Sequence, residues 1–336
     1  MHLLVNMTER ITIKDISKKL KIHHSTVSRA LRNSPQVKEE TKKRIVKYAK
    51  KHGYKVNMNA LKLRGTVKNV IAVIVPNINH DFFANIISVI SDMASNKGFI
   101  VSVFQTNESV ELEKKVLNSV IQNNVAGVIA SVSMETVQAK HFKELSNYKI
   151  PLVMFDRVID DLDVPKVEVD NFEIVTRSVE KLYSEGYDRI VHITGSDKVS
   201  VFRNRKKGYD HMIKKLGIKY HNSFSIEKGF TAEEGKLAAK SIFKEKGKPN
   251  AIICDSHILM IGLLTQLKKM DIQVPKDVKI ISFSNNPLLK IFTPYISFIS
   301  QPITEIGKTS FDLLVNKIQD ENKIQNENKM FKAKLI

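Results

Sequence analysis

The stretch His23-His24-Ser25-Thr26-Val27-Ser28-Arg29-Ala30-Leu31 decides how this chain is read. Val27, Ala30 and Leu31 recur at spacings of three and four, the apolar face of a short helix. Between them His24, Ser25, Ser28 and Arg29 are expected to face out. A helix packed on one side, with hydrogen-bonding groups on the other, fits a DNA major groove. Asn33-Ser34-Pro35 stops it.

The flanking sequence supplies two partner helices. Upstream, Thr12-Ile13-Lys14-Asp15 resembles a capping box with Asp in place of the usual Glu or Gln. Ile13, Ile16 and Leu20 then share one face, and Lys21-Ile22-His23 forms the turn. Downstream, the spacing predicts a third helix over 38–52, buried through Ile45, Tyr48 and Ala49, with Gly53 as a left-handed stop. Three short helices joined by a tight turn make a helix-turn-helix unit.

Charge agrees with that reading. The chain has 336 residues, 54 Lys plus Arg and 35 Asp plus Glu, a formal charge of +19. Residues 1–65 hold 17 of the bases and four of the acids, a net +13, which leaves +6 for the rest. A basic head on a nearly balanced body points to nucleic acid; a solvated lysine-rich surface is the plain alternative.

The ordered segments Ile13-Lys14-Asp15-Ile16, Ser25 to Leu31, Val37-Lys38-Glu39-Glu40-Thr41-Lys42 and His52-Gly53-Tyr54 resemble the head of the lactose-repressor/galactose-repressor family. Two positions depart from it: Lys21 stands where that family usually has Gly, and His23 where it has a Ser cap. The resemblance implies a transcriptional regulator, expected to be a repressor, that binds a palindromic operator as a homodimer. His24, Ser25 and Arg29 are the expected readers of base edges, with Arg29 on guanine. Thr12, Lys14, Thr26, Ser28 and Asn33 are expected at the DNA backbone. In residues 57–66, the resemblance implies a hinge helix whose Leu63 wedges into the minor groove; on sequence alone a plain linker fits nearly as well.

From Val70 the pattern becomes alternating strand and helix. Val70-Ile71-Ala72-Val73-Ile74-Val75 is a continuous apolar run, as for a strand covered on both faces. Further strands are expected at 100–104, 125–130, 152–155, 190–193, 251–254 and 278–283. Helices are expected at 82–97, 111–123, 173–185, 204–216, 232–246 and 258–270. This is a doubly wound α/β pattern used twice. The resemblance covers it too, implying two periplasmic-binding-protein-like lobes with three crossings. The expected division is a head over 1–56, a hinge over 57–66 and an effector-binding, dimerising body over 67–336. Its N-lobe is expected at about 67–167 and 301–329, and its C-lobe at about 168–300 and 330–336, with 330–336 as one last strand.

Doubly wound sheets bind ligands at the carboxyl ends of their strands. The family's effector contacts align with Asp156, Arg205 and Gln301, and Asp170 is a further candidate. Arg157 follows the same strand as Asp156, and Phe82 or Phe83 could stack on a sugar ring. Ser256-His257 stands where the family has Asn-Asp, and Ser282-Phe283-Ser284-Asn285 where it has Gly-Phe-Asp-Asn. Ser256 and Ser284 are therefore site candidates with altered chemistry. The loss of two acids beside Arg157, Arg203 and Arg205 leads us to expect an anionic effector, such as a sugar phosphate or sugar acid, or one with fewer hydroxyls.

Other chemistries are poorly supported. Gly307-Lys308-Thr309 lacks the earlier Gly of a phosphate loop, since Pro302 stands there. The ten His form no HExxH pair and His23-His24 is a poor chelate, so no metal, cofactor or catalytic set is expected. A sugar-binding receptor and a sugar-active enzyme are the alternatives. The lone Cys254 follows an apolar run and reads as a packed core thiol. With no run of 18 apolar residues and no basic, signal-like start, the chain is expected to be cytoplasmic and not membrane-bound; Met7 is a possible alternative start.

Overall fold

The structure is a computed structural model. It describes residues 11–319 and 327–336, apart from 32, 55–67, 139, 228, 245–246 and 293–294. The expected hinge with Leu63, and both candidate starts, lie outside the described residues. The chain divides into two compact units, residues 1–67 and 68–336.

In the head, α1 is Ile13–Leu20, α2 His24–Leu31 and α3 Glu39–Lys51. The capping box is formed: Asp15 N donates to Thr12 Oγ1 at 3.3 Å, and Thr12 N donates to Asp15 Oδ2 at 2.8 Å. Lys21 ends α1 in left-handed backbone at φ +53°, so a side chain sits where glycine is strain-free. Ile16, Val27, Ala30, Val37, Ile45 and Ala49 close a small core. Arg44 of α3 donates to the Leu20 carbonyl at 3.2 Å, satisfying an open end of α1.

The body is two six-stranded sheets of one design. The first runs β11-β5-β4-β3-β1-β2 and the second β12-β10-β9-β8-β6-β7. The first comprises β1 Val70–Val75, β2 Ile100–Gln105, β3 Gly127–Ala130, β4 Leu152–Phe155, β5 Lys166–Val169 and β11 Lys329–Phe331. The second comprises β6 Arg189–Gly195, β7 Tyr220–Ile226, β8 Ala251–Cys254, β9 Lys279–Phe283, β10 Ile296–Ser300 and β12 Lys334–Leu335. Among the described residues the strand pairings are parallel except that of β10 with β12. Helices cover both faces, which is why β1, β3, β4 and β8 are apolar along nearly their whole length.

The helices are α4 Asp81–Asn96, α5 Val110–Gln122, α6 Lys140–Asn147, α7 Asn171–Ser184, α8 Ser200–Leu216, α9 Ala232–Ile242, α10 His257–Lys269 and α11 Ile303–Gln319. The chain passes between sheets after Val169, after Ser300 and after Phe331. The lobe limits therefore fall about two residues later than 167 and 329, because β5 and β11 pair with each other in the first sheet. The expected single strand 330–336 is two short ones, split at Lys332-Ala333 so that each lobe gains an edge.

Candidate functional site

The carboxyl ends of β1, β4, β8 and β9 converge on a cleft between the lobes. His80, Asp81, Phe82 and Phe83 enter from the start of α4, and Asp156 and Arg157 from the end of β4. The C-lobe contributes Phe202, Arg205, Asp255, His257, Phe283, Ser284 and Asn285; Gln301 comes from the crossover.

Asp156 is the most distinctive of these groups. It is 7% exposed and sits in left-handed backbone at φ +58°, where the strand ends and the chain turns into the cleft. Among the described residues none donates a hydrogen bond to its carboxylate. Burial pushes its carboxyl above the ordinary value, although Arg157 and Arg205 pull the other way. Gln301 Oε1 and His80 Nδ1 are also buried without a partner among the described residues. Three polar groups thus stand ready for a ligand to satisfy.

Both cleft arginines are already paired. Arg157 Nη1 reaches both Glu108 oxygens, at 2.9 and 2.7 Å, and its guanidinium lies by the Phe83 and Phe202 rings. Arg205 donates from Nε to Asn171 Oδ1 at 2.8 Å and from Nη1 to the Asp255 carbonyl at 3.2 Å. Asp255 Oδ1 stands 3.6 Å from Nη1, and the Phe283 ring centre 3.4 Å from the guanidinium carbon. Arg203 is not in the cleft; it joins the lobes outside by pairing with Asp160. The expected excess of unpaired arginine is therefore wrong. Acids at 108 and 255, distant in sequence or unremarkable as a strand end, offset the acids missing at 257 and 284.

Two further expectations change. Asp170 caps α7, accepting from Glu173 N at 2.9 Å, and does not line the cleft. Ser256 lies just behind the lining: its hydroxyl accepts from Ile258 N at 3.2 Å and meets His80 Nε2 at 3.3 Å. Ser284 does line the cleft, while its Oγ accepts from Asn286 N at 3.1 Å. Both serines cap the chain turning off a strand, which consumes part of their bonding capacity. Phe82, Phe83, Asp156, Arg157, Arg205 and Gln301 line the same cleft. His80, Asp81, Asp255, His257 and Asn285 were missed, although the strand-end rule that selected Asp156 selects them too.

The lobes also touch across the cleft. The His80 and His257 rings are 5.2 Å apart, His257 Nε2 is 3.6 Å from Asp81 Oδ2, and Asn286 donates to Asp81. Burial, then His257, then the arginines hold the His80 imidazole down at about 3. Burial also lowers His257, against the pull of Asp81.

On the head, His24, Arg29, Thr12, Lys14 and Asn33 are exposed, and Ser25 and Thr26 half-buried. Ser28 is 9% exposed, which withdraws it from the expected outward set: it lies between Val27 and Leu31 on the packed arc of α2. His23 does act as a cap, its Nδ1 accepting from Ser25 N at 3.4 Å and lying 2.8 Å from Ser25 Oγ. The Ser25 hydroxyl is thus held at the helix start.

Among the described residues no group of three His, Cys, Asp or Glu could hold a metal ion, and no helix is long and apolar enough to cross a membrane. Cys254 is wholly buried, and burial pushes its thiol up to about 12.

Comparison with known proteins gives two family matches. Residues 12–57 match bacterial regulatory proteins of the lacI family, and 68–334 match the periplasmic binding proteins and sugar binding domain of the LacI family. The HTH-type transcriptional repressor CytR of Escherichia coli K12 is 30% identical over 311 residues, 93% of this chain and 91% of CytR. The lac repressor dimer bound to operator and the anti-inducer ONPF shares the fold, with a TM-score of 0.83, 18% identity and 98% coverage of each chain. A periplasmic binding protein/LacI transcriptional regulator from Alkaliphilus metalliredigens, complexed with D-xylulofuranose, has a TM-score of 0.70 and 26% identity. It covers 80% of this chain and 97% of its own. The relatives are transcriptional regulators, not enzymes.

Proposed function

This chain belongs to the lacI family of bacterial regulatory proteins, and on that premise we propose how its two units work together. It is a DNA-binding transcriptional regulator. In our reading it is a repressor that acts in the cytoplasm, with a helix-turn-helix head over 1–56, a hinge over 57–66 and an effector-binding, dimerising body over 67–336. Two copies place α2 in successive major grooves of a near-palindromic operator. His24, Ser25 and Arg29 read base edges. Thr12, Lys14, Thr26 and Asn33 hold phosphates, and Leu63 is the minor-groove wedge. The exposure of His24 and Arg29, on a helix whose Val27 and Ala30 are buried, supports this. Arg29→Ala tests it: operator binding should fall far more than binding to random DNA, and equal loss on both would reduce Arg29 to a phosphate contact.

The body binds a small, hydroxyl-rich, uncharged effector of sugar type in the cleft between its lobes. The observation that carries this is the buried Asp156 carboxylate, in the lining of the cleft and without a hydrogen-bond donor among the described residues. With Gln301 Oε1 it asks for ligand donors, while both arginines already have acids. The aromatic rings of Phe82, Phe83, Phe202 and Phe283 suit the C–H face of a sugar. A phosphate ester would have to compete with Glu108 and Asp255 for each guanidinium. Effector contacts are assigned to Phe82, Phe83, Asp156, Arg157, Arg205, Ser284 and Gln301. Binding changes lobe closure and thereby operator affinity, a coupling between two sites. Calorimetry with matched neutral sugars and sugar phosphates tests the class: binding confined to the phosphates would overturn it.

A further inference from the structure

The backbone of Asp255 meets the Arg205 guanidinium, and each oxygen of its buried carboxylate has a donor of its own. His192 Nε2 donates to Oδ1 at 2.9 Å and Thr194 Oγ1 donates to Oδ2 at 2.6 Å. All three side chains are buried: His192 and Thr194 lie on β6, and Asp255 just past the end of the neighbouring β8. The carboxylate therefore cannot swing out to take a ligand. What it can do is stand 3.6 Å from Arg205 Nη1 while its own carbonyl accepts from that same nitrogen. Burial alone would push the Asp255 carboxyl up; Arg205, His192 and Thr194 outweigh it and hold the group below its ordinary value.

The consequence falls on Arg205. Asn171, Asp255 and the Phe283 ring fix three sides of its guanidinium, and Nη2 takes no partner among the described residues. The arginine thus offers the cleft directed N–H groups with its charge already balanced from behind. An unpaired arginine is a strong bidentate phosphate binder; a carboxylate at this distance competes for the same charge and repels the incoming anion.

We propose that Asp255 is a specificity-determining residue of the cleft: by orienting Arg205 and cancelling its charge, it makes that arginine a donor to neutral hydroxyls and denies it to phosphate. The proposal rests on reading the cleft as the effector site.

The test uses the full chain and inorganic phosphate as probe, followed by calorimetry at pH 7.5 and constant ionic strength. The wild-type protein should show no Arg205-dependent phosphate binding tighter than about 10 mM. Asp255→Asn keeps the shape and one acceptor oxygen but removes the charge. It should raise phosphate affinity about tenfold or more, a gain abolished by adding Arg205→Gln. A folded Asp255→Asn protein with unchanged phosphate affinity would overturn the proposal. So would wild-type protein that already binds phosphate in the low millimolar range and loses it in Arg205→Gln. That wild-type comparison stands even where Asp255→Asn fails to fold, and Asp255→Ser supplies the same charge change with a smaller side chain. Failure of the underlying reading looks different: no sugar, neutral or phosphorylated, would then alter operator binding, whatever the phosphate arms report.

Discussion

His80 of the N-lobe and His257 of the C-lobe meet edge to face across the cleft, their ring centres 5.2 Å apart. The contact joins the first turns of α4 and α10, each of which follows a strand end. Acid should loosen it, since the buried His80 is held down at about 3, against 6.5 when free.

For a base whose pKa is lowered by folding, stability is complete above the unfolded value and is lost as pH falls towards the folded one. The groups facing His80 are His257, Arg157 and Arg205, with Asp81 beside it in sequence. Thermal unfolding followed from pH 8 to 5 should therefore show wild type losing stability below about pH 6.5 relative to His80→Gln. Parallel curves for the two proteins would refute the account.

Asp156 should trade stability for binding. Its carboxyl is pushed up, so its favourable contribution is complete below 3.8 and lost as pH rises through the folded value. At pH 7.5 Asp156→Asn should raise the melting temperature of the body by about 2–4 °C, roughly 1 kcal/mol, because Asn also tolerates left-handed backbone. The same variant should lose effector response in an operator-release assay. A less stable variant would mean that the carboxylate has a structural donor.

Lys21 occupies a left-handed position at φ +53° between α1 and α2. Lys21→Gly should relieve about 1 kcal/mol of backbone strain. Hydrogen exchange at the amides of α1 and α2 should slow accordingly. If exchange is unchanged or faster, the added freedom of glycine in the unfolded chain has cancelled the relief.

Gly235 and Gly262 let α9 and α10 cross with their backbones in contact. A Cβ on Gly262 would stand 1.9 Å from the Ala232 carbonyl oxygen, and one on Gly235 2.1 Å from that of Leu259. Gly262→Ala should cost about 2 kcal/mol or more, read as an earlier denaturant midpoint. A midpoint within error of wild type would show that the crossing can widen freely.

Most elements were legible because their signals are local. The apolar runs of β1, β4 and β8, the Thr12–Asp15 box and the three-and-four spacing of α2 each need only a few neighbours to be read. The strand β7 escaped because Tyr220-His221-Asn222-Ser223-Phe224-Ser225-Ile226 lies at a sheet edge and is half polar. Ser28 looked outward by its chemistry and was buried by helix packing.

By itself the sequence determined the basic head, the twice-repeated α/β body and the strand ends that face the cleft, since periodicity and charge are properties of short segments. Only the tertiary structure decided the electrostatics of that cleft. Glu108 meets Arg157 and Asp255 meets Arg205 through separations of 49 and 50 residues. Whether a buried arginine is free or balanced depends on what the fold sets against it, and that partner carries no local mark in the chain.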